Sequence, residues 1–176
     1  KENGLNGIYF ISYEADTNFL YDENERYEQR KKEGFDAINI VNMFIRNNSE
    51  RPLWNRILKK LLYKNSRFRF IPNLTPYNLN VFRTKLDKNE DVFPSVLPNW
   101  DHTPRTGIRG VVVYGATPDN FAASVKYAVD VVKDKPADKK FIFIKSWNEW
   151  AEGNYMEPDL KYGYQYLNVL KKYVCE

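Results

Sequence analysis

Apolar, β-rich runs alternate along this chain with stretches that have helical spacing. The strand-like runs are "GIYFIS" (7–12), "FDAINIVNMF" (35–44), "RFRFIPN" (67–73), "VFPSVLPNWD" (92–101), "GVVVYG" (110–115) and "KKFIFIKSW" (139–147). Apolar strands that alternate with amphipathic helices are typical of a parallel sheet covered by helices. The pattern predicts an α/β fold and leaves two possibilities, a doubly wound open sheet and part of a (β/α) barrel.

The helical stretches carry their own start and stop signals. They lie at 14–34, 49–64, 116–134 and 163–174. Gly34 is predicted to end the first of them, and Pro52 fits the first turn of the second. Thr117 and Pro118 predict the N-cap and first turn of the third. The segment 74–91 is ambiguous, and there Pro76 is the candidate start of a short helix.

The length of the chain bears on the choice between the two sheet architectures. With 176 residues we expect a single domain over 1–176, whereas a complete eight-stranded barrel typically needs about 250. No Gly-x-Gly-x-x-Gly or Walker-type loop follows any strand, so a nucleotide-binding open sheet is unsupported. The opening "KENGLNGIYFIS" reads as the end of a helix passing into a strand. We therefore expect a fragment of a longer protein.

The composition excludes several classes of function. Net charge is only +4, and basic residues are scattered over predicted helix faces, so no nucleic-acid partner is expected. A single histidine, His102, and a single cysteine, Cys175, predict no zinc site, no disulfide within the chain and no cofactor. No apolar stretch is long enough for a transmembrane segment. The 13 Tyr, 11 Phe and 4 Trp suit a dense core or stacking on sugar rings or bases.

Two glutamates stand three residues apart directly after the last predicted strand. Glu149 and Glu152 alternate with Trp147, Trp150 and Gly153 in "WNEWAEG". Residues three apart on a helical turn have Cβ atoms about 5–6 Å apart, and the two carboxyl groups of retaining glycosidases lie about 5–5.5 Å apart. The spacing therefore favours a catalytic carboxylate pair. The alternative is that both glutamates only stabilise the start of a helix.

Further candidate residues follow other strands. Ligands bind at the carboxyl ends of parallel strands. The residues at the ends of the first two predicted strands are therefore further candidates: Ser12, Tyr13, Glu14 and Asn42. The predicted substrate-binding residues are Trp100, Asp101, Arg105, Tyr114, Trp147, Asn148, Trp150 and Glu157.

These candidates have different expected roles. The tryptophans are expected to be stacking platforms. Arg105 either binds a phosphate or forms a salt bridge with Asp101. Glu157 is expected to cap or close the loop over the site, and His102 to be a hydrogen-bonding loop residue.

Three motifs together resemble a known family. "PNWDHTPR" (98–105), "WNEWAEGNYMEPD" (147–159) and "YGYQYL" (162–167) resemble the WbsX-type glycosyltransferases of bacterial polysaccharide and lipopolysaccharide O-antigen clusters. That family is itself similar to the glycoside hydrolase family 99 endo-α-mannosidases. The resemblance implies the C-terminal half of a TIM-like (β/α)8 barrel, with residues 1–97 matching more loosely. It implies glycosyl transfer or hydrolysis at an α-linked sugar.

The resemblance also implies roles and partners. Glu149 would assist the sugar 2-hydroxyl, and Glu152 would be the general acid/base. Ala151 and Asn154 replace the His and Thr of the hydrolases and follow the WbsX pattern. The implied partners are a sugar or sugar-nucleotide substrate and a glycan acceptor, in the cytoplasm or at the inner face of the membrane.

A half barrel has open sheet edges, which predicts self-association or packing on a missing N-terminal half. The alternatives to an enzyme are a non-catalytic glycan-binding module and a structural half barrel.

Overall fold

A computed structural model describes Gly4 and residues 7–15, 22–41, 73–77, 83–107 and 110–175. The predicted helix at 49–64, most of the predicted strand at 67–73 and the strand-end residue Asn42 lie outside these residues.

Four parallel strands form the main sheet. They are β1 (Ile11–Ala15), β2 (Ala37–Val41), β4 (Val92–Val96) and β6 (Phe143–Ile144), in the spatial order β1-β2-β4-β6. A second parallel pair joins β3 (Asn73–Pro76) to β5 (Val111–Tyr114), and an antiparallel hairpin joins β7 (Asn148–Glu149) to β8 (Asn154–Tyr155). The main sheet curls into a half barrel, which is compatible with half of a TIM-like barrel.

Four helices lie within the described residues. They are α1 (Glu23–Lys32), α2 (Thr103–Thr106), α3 (Pro118–Val132) and α4 (Gln165–Leu170), which continues as a π turn over Lys171–Cys175. Short 3-10 turns occupy Lys85–Lys88, Ala137–Lys139 and Trp150–Glu152. The predicted caps are confirmed: Thr117 accepts from the backbone of Asn120, and Gly34 follows α1 with a φ of 92°.

Helices α1 and α3 pack on the same face of the main sheet. Glu14 of β1 forms an ion pair with Arg30 of α1 at 2.5 Å, and Val96 of β4 packs in one cluster with Phe121 of α3. The strand register places Glu14 level with Pro94, two residues before Val96, so both contacts lie on one face. A doubly wound sheet carries helices on both faces. Within the described residues the arrangement is that of a half barrel.

The opposite, inner face carries a row of aromatic and polar side chains. Strand register aligns Tyr13, Asn39 and Phe93, and it aligns Ser95 with Phe143. The Asn39 amide is buried and donates to the Phe93 carbonyl and to Ser95 Oγ, both at 2.9 Å. This face leads to the carboxyl ends of the strands.

Several predicted boundaries were wrong. The first strand runs over Ile11–Ala15 rather than 7–12, and the first helix begins at Glu23 rather than 14. The polar residues Ser12 and Glu14 suggested that the strand had ended. In the structure both lie within β1, because Ser12 donates a hydrogen bond to Glu14 and Arg30 neutralises the Glu14 carboxylate.

Other differences lie farther along the chain. Pro76 ends β3 instead of opening a helix. The last strand of the main sheet is only Phe143–Ile144, because the chain then turns into the β7–β8 hairpin.

The described helices are all too short or too polar to cross a bilayer.

Candidate functional site

The loop after β4 and the segment after β6 meet at the carboxyl ends of these two strands. Asp101 N donates to the Glu152 carbonyl at 2.9 Å, and Tyr155 N donates to Asn99 Oδ1 at 2.9 Å. The motifs "PNWDHTPR" and "WNEWAEGNYMEPD" therefore form one hydrogen-bonded unit.

Asn154 holds this unit together from inside. Its side chain is fully buried, and Nδ2 donates to the carbonyls of Asn99 at 2.6 Å and Lys145 at 2.8 Å. Ser146 Oγ donates to Asn154 Oδ1 at 2.9 Å. The sequence marked Asn154 only as a departure from the hydrolases, because nothing in a single sequence distinguishes a buried amide from an exposed one.

The two glutamates lie at the ends of a single 3-10 turn. Glu149 ends β7, Glu152 ends the turn Trp150–Glu152, and Gly153 follows in the left-handed conformation. A 3-10 helix has three residues per turn, so side chains three apart lie on the same side. The expected helical turn is thus present, although Glu149 itself belongs to a strand.

Arg105 of α2 contacts both carboxylates. Its Nη1 lies 2.7 Å from Glu152 Oε1, and its Nη2 lies 3.7 Å from Glu149 Oε1. The Glu152 side chain is 13% exposed and that of Glu149 is 41% exposed. One guanidinium thus contacts both carboxylates.

The predicted salt bridge between Arg105 and Asp101 is wrong. Asp101 Oδ1 instead accepts from Thr103 N at 2.9 Å and from Thr103 Oγ1 at 2.5 Å. Aspartate has a short side chain that readily bonds backbone two residues on, as here at the start of α2. Asp101 therefore shapes the loop, and Arg105 is left to reach Glu152.

His102 also approaches the pair. Its Nε2 lies 3.5 Å from Glu152 Oε1, which becomes an ion pair when the imidazole is protonated. Its Nδ1 lies 3.4 Å from Thr106 Oγ1. The hydrogen-bonding role expected for His102 fits these contacts, but its proximity to Glu152 was not foreseen from the sequence.

Trp100 lies beneath this group and not on its surface. It is 7% exposed, and its ring centroid lies 5.8 Å from that of His102. Lys145 Nζ lies 5.3 Å from the centroid of Trp100 and 5.8 Å from that of Tyr13. Because the indole is enclosed, the expectation that Trp100 is an open stacking platform is wrong. It packs in the core with Leu97.

Tyr13 belongs to the same neighbourhood. Burial, together with the charge of Glu152, raises the pKa of the Tyr13 phenol above its ordinary value. The hydroxyl therefore stays protonated at neutral pH and can both donate and accept. The sequence pointed to Tyr13 because it directly follows the strand predicted at 7–12, although it lies in the middle of β1.

Comparison with known proteins identifies the family. The family model described as "Glycosyltransferase WbsX" matches residues 1–170. This chain belongs to the WbsX glycosyltransferase family. The resemblance seen in the motifs is thus confirmed.

Curated relatives of this WbsX-family chain come from one bacterium. The "Uncharacterized protein WxcX" of Xanthomonas campestris pv. campestris, in strains B100 and ATCC 33913, is 34% identical over 85 residues. The match covers 46% of this chain and 12% of each relative, so the chain spans a small part of their length. No solved structure matches the chain.

The WbsX motif continues into a second aromatic group beside the hairpin. Trp150 stacks on Tyr155, with ring centroids 3.7 Å apart and an interplanar angle of 12°, and its Nε1 donates to Glu157 Oε2 at 2.6 Å. Glu157 thus holds the indole ring. Trp147 and Trp150 keep about half of their surface in solvent, 52% and 47%.

Two candidates contribute little to the carboxylate group. Asn148 pairs with Tyr155 in the hairpin, and its side chain is exposed. Tyr114 ends β5, where its carbonyl accepts from Tyr77 N at 2.8 Å, and its ring is exposed. No contact between Tyr114 and the carboxylates occurs within the described part of the chain.

A metal site was not expected from the sequence. Among the residues that the structure describes, no group of three or more His, Cys, Asp or Glu side chains could hold a metal ion.

Proposed function

We propose that this chain is a carbohydrate-active enzyme domain of polysaccharide and lipopolysaccharide O-antigen biosynthesis. It transfers a glycosyl group at an α-linked sugar, or hydrolyses that linkage, with Glu149 and Glu152 as the catalytic pair. The observation that carries this proposal is the contact of one guanidinium, Arg105, with both carboxylates at the carboxyl ends of parallel strands. Sugar-nucleotide donors are made in the cytoplasm, so the proposal includes a location there or at the inner face of the membrane.

In the proposed chemistry each bond that breaks is matched by one that forms, and each proton that is taken up is returned. The bond from the anomeric carbon to the leaving oxygen breaks, and a bond to an acceptor hydroxyl oxygen forms. Glu152, the more enclosed of the pair, protonates the leaving oxygen and then takes the proton released by the acceptor. Glu149 takes the proton of the sugar 2-hydroxyl while that oxygen displaces the leaving oxygen at the anomeric carbon, and it returns the proton when the acceptor opens the epoxide-like intermediate, as in the similar hydrolases. In hydrolysis, water replaces the acceptor hydroxyl.

Sugar binding in this proposal relies on the exposed rings. Trp147 and Trp150 each offer an apolar face that suits the C–H face of a sugar ring. One face of Trp150 is covered by Tyr155, and Glu157 fixes its indole N–H, so this ring is held in place before a ligand arrives. A preformed platform loses little conformational entropy on binding.

The test is turnover by Glu149→Gln and Glu152→Gln. Nucleotide release is measured with a panel of nucleotide sugars, and hydrolysis with aryl α-glycosides. Each variant is expected to lose turnover by about 10²- to 10⁴-fold, because each removes a proton-exchanging or hydroxyl-assisting carboxylate. Sugar binding, measured by calorimetry, is expected to persist.

Glu90→Gln is the matched control. Glu90 is an exposed glutamate 3.6 Å from Lys139, outside the hairpin, and its variant should keep full turnover. Turnover that survives in both Glu149→Gln and Glu152→Gln would refute the proposed pair.

The second candidate function is a non-catalytic glycan-binding module. It is favoured by the same contact, since Arg105 neutralises both carboxylates, which would then only accept hydrogen bonds from sugar hydroxyls. Glycan binding by the wild-type chain without turnover of any donor would establish this candidate. A structural half barrel would bind no sugar.

A further inference from the structure

Lys145 places a positive charge beside the carboxylate group. It directly follows β6, and its half-buried side chain lies against the rings of Tyr13 and Trp100. Within the described residues, the Lys145 ammonium forms no ion pair and donates no hydrogen bond. Its neighbours on that side are aromatic faces, which attract a cation but accept none of its three N–H groups in an ordinary hydrogen bond.

Other cations near the sheet have partners. Arg105 contacts two carboxylates, and buried Lys135 donates to the carbonyls of Asn89 at 2.8 Å and of Val92. Protein interiors generally satisfy the donors of enclosed charged groups. Among the described residues, the half-buried Lys145 ammonium therefore contacts two rings but has no hydrogen-bond acceptor.

The position of Lys145 ties it to the site. Lys145 lies two residues after Phe143 and so continues the inner face of the half barrel, and its own carbonyl accepts from Asn154. The ring of Trp100, which it contacts, also packs against His102, and His102 reaches Glu152 at 3.5 Å. The ammonium and the carboxylate pair thus line one region at the strand ends.

We propose that Lys145 binds a negatively charged group on the sugar substrate, a phosphate or a carboxylate. This inference rests on the proposed function of the site. Lysine is a compact point charge that suits such an anion. The side chain of Lys145 is half-buried, and charges attract each other more strongly there than in open solvent. A neutral sugar would leave the ammonium unpaired, so Lys145 acts as a specificity-determining residue.

The test compares charged and neutral forms of the same sugars by calorimetry. The neutral probes are methyl α-D-glucoside and methyl α-D-mannoside. The charged probes are the 1-phosphates of α-D-glucose and α-D-mannose, and methyl α-D-glucuronide. Wild-type protein should bind at least one charged probe about tenfold more tightly than its neutral counterpart, a preference that weakens as salt is added. A phosphate preference indicates a glycosyl-phosphate donor, and a carboxylate preference indicates a uronic acid.

Three variants make the test specific. Lys145→Met should abolish the preference for charge, while Lys145→Arg should keep it. Lys172→Met is the matched control, because Lys172 lies 5.3 Å from the ring centroid of Tyr173, which packs on the helix side of the sheet. It should bind like the wild type. Melting temperatures verify that each variant is folded.

The remaining outcomes separate this inference from the proposed function. Equal affinity for charged and neutral probes in the wild type, or a preference that survives in Lys145→Met, overturns the role of Lys145 and leaves the proposed function standing. Absence of binding by every probe overturns both.

Discussion

Gly153 lies where the hairpin passes closest to the loop after β4. Its φ is 50°, and a Cβ there would lie 2.8 Å from Asp101 Cβ and 3.0 Å from the backbone N and O of Asp101. Two independent constraints therefore act at this position, one on the backbone angle and one on the space. Gly163 has nearly the same φ, 53°, but a Cβ added there would have no atom within 4 Å.

We predict that Gly153→Ala lowers the free energy of unfolding by about 2–4 kcal/mol, through backbone strain plus a clash with backbone atoms. Gly163→Ala should lower the free energy of unfolding by only about 1 kcal/mol, because the positive φ strains the new alanine but its Cβ meets no other atom. Urea unfolding of the two variants measures the difference. Equal losses would show that the approach of Asp101 costs nothing.

Residue identities in the motifs were read from the sequence, but their roles were not all readable there. Trp100 and Trp150 occur in similar settings of polar and aromatic residues, yet the first is buried and the second is half-exposed. The difference arises because Trp100 packs with Val41 of β2 and Val113 of β5, which are contacts between distant segments. Local pattern carries no information about such a contact.

Helix α1 is attached to the sheet through Asp91, the residue before β4. Lys31 Nζ donates to Asp91 Oδ2 at 2.8 Å, and Tyr27 donates to both carboxylate oxygens, at 3.0 and 3.1 Å. Burial by itself would raise the pKa of Asp91, but the hydrogen bonds from Lys31 and Tyr27 outweigh it and lower that pKa below its ordinary value.

We predict a pH-dependent loss of stability in Asp91→Asn. Since the pKa is lower in the folded state, the contribution is complete above the unfolded pKa of about 3.9 and disappears as the pH falls through the folded value. At neutral pH the variant should lose about 1 kcal/mol in free energy of unfolding. The difference in free energy of unfolding between the variant and the wild type should be constant near pH 6 and should narrow progressively in urea titrations below about pH 5.

Asp130→Asn serves as the control for this measurement. Asp130 is exposed and lies 4.0 Å from Lys126 and 3.6 Å from Lys133, contacts that contribute little in water. A constant difference between Asp91→Asn and wild type over the whole pH range would contradict the predicted linkage.

Elements with strong local signals were predicted well. Helix α3 begins at Pro118 after its Thr117 cap, and the strand predicted at 110–115 occurs as Val111–Tyr114. The strand predicted at 139–147 is much shorter, because the chain leaves the sheet to form the hairpin bonded to Asn99. That hairpin depends on residues some fifty positions apart, which hydrophobic periodicity does not report.

At the scale of the whole molecule, the half barrel exposes an apolar margin. Ile8, Tyr9 and Phe10 precede β1 and are largely exposed, Ile8 at 68%. Strand β1 is at the end of the main sheet, and no further strand pairs with it in the part of the chain that the structure describes. Open edges with apolar flanks favour association with another chain.

We predict that the protein self-associates and that Ile8→Lys weakens the association, because a lysine there would be buried in the contact. Sedimentation velocity over a concentration series measures the effect. Leu160→Lys is the control, since Leu160 is fully exposed on the segment after the hairpin. A wild type that stays monomeric at every concentration would contradict the prediction.

The sequence by itself determined the α/β class, the helix caps, the family and the residues available for chemistry, because each depends on spacing within a few neighbouring positions. Tertiary structure decided which side of the sheet the helices cover, which carboxylates Arg105 contacts and how deeply Trp100 and Asn154 are buried. These features depend on contacts between distant parts of the chain, such as the hydrogen bond from Arg105 to Glu152, which are 47 residues apart. Their contacts are set by the curl of the sheet and by packing, which no local pattern encodes.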